Sequence, residues 1–304
     1  MHILIVGGTG FLGSHLRRAC AALGHTVHFT GRGPSDEAGH LRCDIARDAL
    51  VLPEAVDVAY YLAQADSYAD FPDTAANIFG VNALGAVKAA VAARNAGCRA
   101  FFYASTGNVY APSFLACDER APLDRGTPYA LSKIHAEEAL GLVADARMQV
   151  CAFRVFGLFG STQTSKLAAR LLKGVHEGRP VALAPTAAEI AAGRADATGG
   201  LTLSWLCVHD AVGQLLALGE AALAGEAPRV MNLAGPRGVS LREFTGAMGK
   251  SLGVAPRYVV AQAARTRDFI ADVGLAHKLL HPRCTPLDEA MEEFARCADF
   301  ARIA

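Results

Sequence analysis

Ile3-Leu4-Ile5-Val6 runs directly into Gly7-Gly8-Thr9-Gly10-Phe11-Leu12-Gly13, and a helix-like stretch, Phe11–Leu23, follows. The side chains ahead of the glycines are apolar on both faces, the pattern of a strand buried in a parallel sheet. Glycine is needed in such a turn where the chain bends sharply, where backbone approaches a phosphate, and where helix packs close on strand. The first N–H groups of the helix, and its dipole, then favour a diphosphate. A glycine-spaced turn alone is common and structural. Between a strand and a helix it reads as a dinucleotide cradle. Its candidate contacts are Gly7, Thr9, Gly10, Phe11, Leu12 and Gly13.

Outward from this unit, Thr26–Thr30, Val56–Leu62, Ala100–Ala104 and Gln149–Phe153 read as further buried parallel strands. The helices between them are expected at Thr74–Asn95 and Pro128–Ala144. This alternation predicts an α/β fold: a Rossmann-type doubly wound parallel sheet with right-handed crossovers. After Arg154 the texture changes. Lys166–Glu177, Ala211–Ala224, Ser240–Leu252 and Pro286–Arg296 read as helices, Trp205–Val208 and Arg229–Leu233 as strands, and Pro180–Leu203 has little periodicity. The working division is an NAD(P)-binding Rossmann domain over 1–155 and a smaller C-terminal substrate lobe over 156–304, with segments interleaved with the first.

The 304 residues are 52% apolar and 19% charged, enough for a large packed core. Basic and acidic residues cancel at 29 each, which disfavours a nucleic-acid binder or a protein adsorbed on anionic lipid. No uninterrupted apolar run approaches the ~20 residues of a membrane span. Glycine follows Met1 too soon for a secretory segment. The eight cysteines form no C-x-x-C pair and read as reduced, mostly buried thiols, so a cytoplasmic protein is expected. Cys207 and His209 fall on one strand face by alternation, without further ligands, so no metal is expected. Ser204-Trp205 reads as a core or cleft-wall pair, and Ala83–Ala96 as a packing helix.

An NAD site places a carboxylate at the end of the second strand to accept from the adenosine ribose. Here that end is Thr30-Gly31-Arg32-Gly33. A missing carboxylate removes repulsion against a 2′-phosphate, and Arg32 can pair with one bidentately. The preference read from this is NADP, with NAD as the alternative. Arg32 is otherwise a solvated loop arginine, and Asp36 or Glu37 lies within reach of the same place. Asp44 either accepts from the adenine amino group, with Ile45 covering the ring, or caps the helical turn after it. Leu62, Ala63 and Gln64 close the fourth strand at the ligand-binding edge of such sheets.

Ser105 and Thr106 place hydroxyls at a strand end, and Thr127-Pro128-Tyr129-Ala130-Leu131-Ser132-Lys133 sets Tyr129 and Lys133 on one helical face. A phenol with a pKa of about 10 is a poor base at neutral pH. A neighbouring ammonium favours the phenolate, so Tyr129 can exchange a proton with a carbinol or carbonyl oxygen. Lys133 can also hold a nicotinamide ribose, and Thr106 can orient the substrate oxygen.

With these segments in order, the sequence resembles the extended short-chain dehydrogenase/reductases, the NAD(P)-dependent sugar epimerase/dehydratase family. The resemblance rests on Gly7–Gly13, Asp44-Ile45, Leu62-Ala63, Asn82-Ala83-Leu84-Gly85, Ser105–Tyr110, Tyr129 with Lys133, Arg154–Gly160, Val208-His209-Asp210, and Asn232-Leu233 followed by Ser240-Leu241. It implies a catalytic set of Thr106, Tyr129 and Lys133, with Thr106 rather than Ser105 as the hydroxyl. It implies Asn82 near the cofactor, a nucleotide-activated sugar as substrate, and a homodimer through the helices over Thr74–Asn95 and Pro128–Ala144. Arg265 matches the family's later phosphate arginine.

Departures from the family pattern narrow the function. The Asp-Glu pair that follows the threonine in sugar-nucleotide 4,6-dehydratases is Gly107-Asn108 here, so dehydration lacks its acid and base. A family asparagine appears as Gly157, and the diphosphate arginine aligns near Leu203, with Arg194 a candidate replacement or a solvated loop charge. The resulting expectation is NADPH-dependent reduction of a keto group on a nucleotide-activated sugar. Its alternative is an NAD-dependent 4-epimerase, and the remaining reading is a non-catalytic dinucleotide-binding module.

Overall fold

In the computed structural model, which describes residues 1–52, 55–65 and 68–303, the opening strand lies inside a seven-stranded, all-parallel sheet. The first half supplies β1 (His2–Val6), α1 (Phe11–Ala22), β2 (Thr26–Gly31), β3 (His40–Arg42), β4 (Val58–Tyr61), α2 (Ala75–Phe79), α3 (Ala86–Asn95), β5 (Ala100–Thr106), α4 (Pro128–Val143) and β6 (Gln149–Val155). The second half supplies β7 (Gly157–Phe159), α5 (Lys166–His176), β8 (Val181–Leu183), α6 (Ala187–Ala191), β9 (Thr202–Leu203), β10 (Trp205–Cys207), α7 (Val208–Leu223), β11 (Val230–Leu233), β12 (Val239–Ser240), α8 (Leu241–Leu252), β13 (Tyr258–Val260), α9 (Gly274–Leu280) and α10 (Leu287–Arg296). The sheet runs β11-β6-β5-β4-β1-β2-β3, a Rossmann-like order that reverses between β1 and β4.

That reversal positions the site. Val6 and Tyr61 are level in the sheet, so Gly7 and Leu62 leave it side by side. Gly7 has φ +88°, and a Cβ there would lie 2.7 Å from the Ala63 backbone nitrogen. Only glycine meets both conditions.

The sheet is covered on both faces, as its two-sided apolar strands require. One face packs Leu16 and Cys20 of α1 with Ala211, Leu215 and Leu218 of α7. The other packs Ala86, Ala89, Ala90 and Ala93 of α3 with Ala136 and Leu140 of α4. Trp205, Phe159, Phe244 and Phe294 centre a separate core between α5, α8 and α10. The second half thus returns α7, β11 and α9 to the sheet and gathers α5, α8 and α10 around the second core.

Three expectations about elements change. The helix over Thr74–Asn95 is broken by a π-helical segment, Gly80–Gly85. The Tyr61 and Tyr103 hydroxyls bond to the carbonyls of Val81 and Asn82, so this turn can widen without stranding them. Together, Ala75–Asn95 is 21 residues long with hydropathy 1.4, enough by length and composition to cross a bilayer, although no uninterrupted apolar run announced it. Here it carries buried Asn82 and lays its alanine face on the sheet. Val208 opens α7 instead of closing a strand. Cys207 therefore lies buried at the end of β10, while His209 sits on the first helical turn, 2.7 Å from Glu293. Among the described residues no three metal-capable side chains converge.

Candidate functional site

A cleft of about 1060 Å³ runs between the carboxyl edge of the sheet and the C-terminal lobe. Gly7, Thr9, Gly10, Phe11, Leu12, Gly13, Leu62, Gln64, Thr106 and Tyr129 all line it. α1 starts from Gly10 without a side-chain cap, so its first N–H groups face the loop unblocked by the chain itself. A diphosphate fits this cradle: bare helix N–H groups, and glycine where a Cβ would fill the gap.

Tyr129 enters at the start of α4, which Thr127 caps by accepting from the Ala130 N–H at 3.1 Å, with Pro128 in the first turn. Its hydroxyl donates to Gln64 Oε1 at 3.1 Å and its ring packs 4.7 Å from that of Tyr68. Burial raises the phenol above its ordinary value, and a hydrogen bond with Thr106 opposes that rise. Thr106 Oγ1 also accepts from the Asn108 backbone N–H at 3.2 Å and its amide at 3.1 Å.

Ser105 turns the other way and donates to Glu137, which holds Arg154 through two bonds of 2.6 and 3.1 Å. Both partners of that ion pair are buried, and Arg154 also donates to the Glu119 carbonyl at 3.1 Å. The choice between the two hydroxyls follows: Ser105 is committed to the Glu137 network, and Thr106 lines the cleft with Tyr129.

Lys133 follows Tyr129 by one helical turn but does not line the cleft. Its Nζ donates to the Ala104 carbonyl at 2.8 Å and lies 4.9 Å from the Tyr103 ring centroid. Burial pulls its pKa down to about 7, against the opposing attraction of Glu137. Asn82 is also beneath the surface, accepting from Ala65 N–H at 3.0 Å and donating to the hydroxyls of Tyr68 and Ser132 at 3.0 and 2.9 Å. It ties α4 to the segment after β4, one layer behind Tyr129.

The other sequence-derived candidates lie outside this cleft. Arg32 is exposed in the loop after β2. Glu37, considered as a ribose acceptor, is paired with Arg17. Asp44 accepts from the Ala46 N–H at 3.2 Å and lies 3.8 Å from Arg47, the capping arrangement. Ile45 joins the core, and Ala63 presents its backbone to Gly7. Arg265 is bound at 3.0 Å to Asp268 and 3.2 Å to Glu189, and donates to the Ala184 carbonyl at 2.9 Å. An arginine held this way by two carboxylates is already neutralised, which makes it a poor phosphate clamp in this conformation. Asp210, in the Val-His-Asp segment, accepts from the backbone and hydroxyl of Thr285 and is structural.

Sequence reasoning passed over Tyr68, Gln163, Lys166 and Arg302, which also line the cleft. They come from three separate segments, Gln163 and Lys166 flanking the start of α5, and carry no spacing signal. Trp205 is where its expected role puts it, on the cleft wall, stacked 3.9 Å from Phe244.

The family model described as "NAD dependent epimerase/dehydratase family" matches residues 3–234, well over half of the chain. The chain belongs to this family. A UDP-glucose 4-epimerase of Neisseria gonorrhoeae is 28% identical over 220 residues, covering 64% of this chain and 62% of that protein. The chain thus spans less than two thirds of that relative's length. Among solved structures, the UDP-glucuronic acid 4-epimerase of Bacillus cereus, in complex with UDP-glucuronic acid and NAD, superposes with a TM-score of 0.78 at 19% identity, over 98% of both chains. TunA, an NAD-dependent NDP-hexosamine 5,6-dehydratase involved in tunicamycin biosynthesis, gives 0.79 at 21% identity over the whole of both chains. At such identities the superpositions establish the fold. This epimerase/dehydratase family member therefore shares its fold with these NAD enzymes.

Proposed function

We propose that this chain is an NAD-dependent nucleotide-sugar 4-epimerase, with Thr106, Tyr129 and Lys133 as its catalytic set. The observation that carries this reading is that Tyr129 and Thr106 both line the cleft that the phosphate loop opens. The relatives support it, since the 4-epimerases among them act on UDP-sugars and the solved one holds NAD. Bound NAD supplies a reversible hydride acceptor. Gly7, Thr9, Gly10, Phe11, Leu12 and Gly13 would hold its diphosphate, and Leu62 and Gln64 would border the nicotinamide end. Tyr129 takes the proton of the sugar hydroxyl as that carbon becomes a carbonyl, and returns it once the sugar has presented its other face. Thr106 donates to the same oxygen. Lys133, as its ammonium, lowers the cost of the phenolate from the turn below. Gly107-Asn108, in place of an acid pair, leaves elimination of water without its catalysts.

A second reading, NADPH-dependent keto reduction, rests on Gly31-Arg32, which brings no carboxylate to the end of β2. The two separate on stoichiometry. An epimerase interconverts UDP-glucose and UDP-galactose without net cofactor use, whereas a reductase oxidises one NADPH per keto sugar. The proposal extends to a homodimer through the two helices expected for it, which leave Leu84, Val91 and Leu142 exposed, the last at 89%. Light scattering would show twice the chain mass. The eight free thiols support placing the enzyme in the cytoplasm.

A further inference from the structure

The Tyr129 hydroxyl, which the proposed reaction loads and unloads with a proton, donates to Gln64 Oε1 at 3.1 Å. Gln64 reaches it from the segment that leaves β4. The backbone on either side of Gln64 is fixed: Leu62 N–H donates to the Val6 carbonyl at 2.8 Å, and Ala65 N–H to Asn82 Oδ1 at 3.0 Å. The Asn82 amide also donates to Tyr68, whose ring packs on Tyr129, and to Ser132, which donates to the Tyr129 carbonyl at 2.8 Å. One buried asparagine thus holds both the segment that carries Gln64 and the turn that carries Tyr129. The Gln64 side chain itself is exposed and lines the cleft, so its amide has room to turn.

The surroundings of this contact are short of charge. Among the described residues no carboxylate lines the cleft. Thr106, at the end of β5, and Tyr68 bring hydroxyls, and Tyr103 of β5 lies buried beneath. Lys133, one turn along α4, keeps its Nζ on the Ala104 carbonyl, and the Glu137–Arg154 pair is buried behind it.

A phenol has one proton to donate and a phenolate has none, so the partner that a tyrosine needs reverses when it gives up its proton. A carboxylate beside Tyr129 would suit the phenol and repel the phenolate. An apolar side chain would suit neither. A glutamine terminus carries an acceptor and two donors on one planar group, and its last torsion is broad and two-fold. A half-turn therefore puts Nε2 where Oε1 was.

Building on the epimerase reading, we propose that Gln64 is a positioning residue that holds the Tyr129 oxygen in both of its protonation states. It accepts from the phenol through Oε1 and, after a half-turn of the amide, donates to the phenolate through Nε2. The proton passes only between Tyr129 and the sugar oxygen; Gln64 neither gives one up nor gains one. Because the amide serves both states, it aims the oxygen for transfer in either direction without favouring one of them.

The test is a pH titration of tyrosinate absorbance in the full chain, with and without NAD, subtracting the same titration of Tyr129→Phe. Gln64→Glu keeps the acceptor, loses the donor and adds a like charge to the phenolate, so it should raise the Tyr129 titration by about one pH unit or more. Gln64→Leu keeps neither partner and should move the titration by less than about half a unit. Its kcat for UDP-glucose epimerisation should fall about tenfold, with KM within about twofold, because the oxygen is no longer aimed. A titration that stays in place in Gln64→Glu overturns the contact. A shift of about a unit or more in Gln64→Leu, in either direction, overturns the dual role, since it makes Gln64 the partner of one state only. Wild-type kcat in Gln64→Leu overturns the positioning. The titrations need no turnover, so a wild type that converts no UDP-glucose overturns the 4-epimerase reading while they still decide for or against Gln64.

Discussion

On the sheet side of the cleft, each catalytic candidate is held by its neighbours. Tyr129 bonds Gln64, Thr106 bonds Asn108, Lys133 bonds Ala104, and Asn82 makes three hydrogen bonds behind them. On the lobe side, Trp205 and Gln163 each keep a buried polar atom unpaired. The contrast separates two ways of holding a wall. Groups that must act on any substrate are fixed in advance by satisfied bonds on strands and helices. The lobe wall is held instead by packing, Trp205 stacking 3.9 Å from Phe244 while its N–H finds no partner among the described residues.

Breaking the fixed side should have the largest effect. Tyr129→Phe removes the proposed proton carrier and should lower turnover by about 10²–10⁴-fold, with NAD affinity unchanged by titration. Equal loss of NAD affinity would mean the hydroxyl acts in holding the cofactor and not only in proton transfer. Next comes the ion pair behind the site. Arg154→Met leaves Glu137 buried without its cation and should cost about 3–5 kcal/mol of unfolding free energy, measured with urea. The two neighbouring hydroxyls then sharpen the picture. Thr106→Ala should reduce turnover by at least about tenfold, whereas Ser105→Ala should leave turnover near wild type and lower stability by about 1 kcal/mol.

A pH series on Lys133 is subtler. Its native pKa is down to about 7 because burial penalises the ammonium, while an unfolded lysine titrates at about 10.4. Between those values the unfolded chain binds more protons, so stability rises with pH across the window, and the penalty is complete below 7. Lys133→Met should therefore gain most over wild type near pH 6 and least above pH 10, by thermal melts across the range. A gain that did not vary with pH would show that Lys133 titrates alike in the folded and unfolded chain, with no burial penalty on its ammonium. The smallest effect is expected at Arg32, exposed and away from the cleft. Arg32→Ala should change NAD affinity by less than about twofold, and a selective loss of NADPH affinity would favour the reductase reading.

Much of the sheet side was legible in sequence because its information is local. Ile3–Gly13 carries strand, turn and helix signals in one short run, and Tyr129 with Lys133 is one helical turn. The π-helical segment was not legible, since it depends on hydroxyls from Tyr61 and Tyr103 on other strands. Nor was the change at Val208, where an apolar run passes from strand into helix without a break in composition. Arg265 showed the reverse problem. Its position matched a phosphate-binding pattern, but Asp268 and Glu189 already occupy it, and Glu189 comes from a distant helix. The unpaired atoms of Gln163 and Trp205 were not legible, because an unsatisfied atom exists only once its surroundings are assembled.

The most direct measurement is to incubate the purified enzyme with UDP-glucose and no added cofactor, following the C4 configuration by proton NMR and nicotinamide absorbance alongside. Epimerisation to a fixed UDP-glucose/UDP-galactose mixture, without net absorbance change and abolished by Tyr129→Phe, is the predicted result. No epimer from UDP-glucose, together with NADPH oxidised one-for-one against a keto sugar nucleotide, would contradict it.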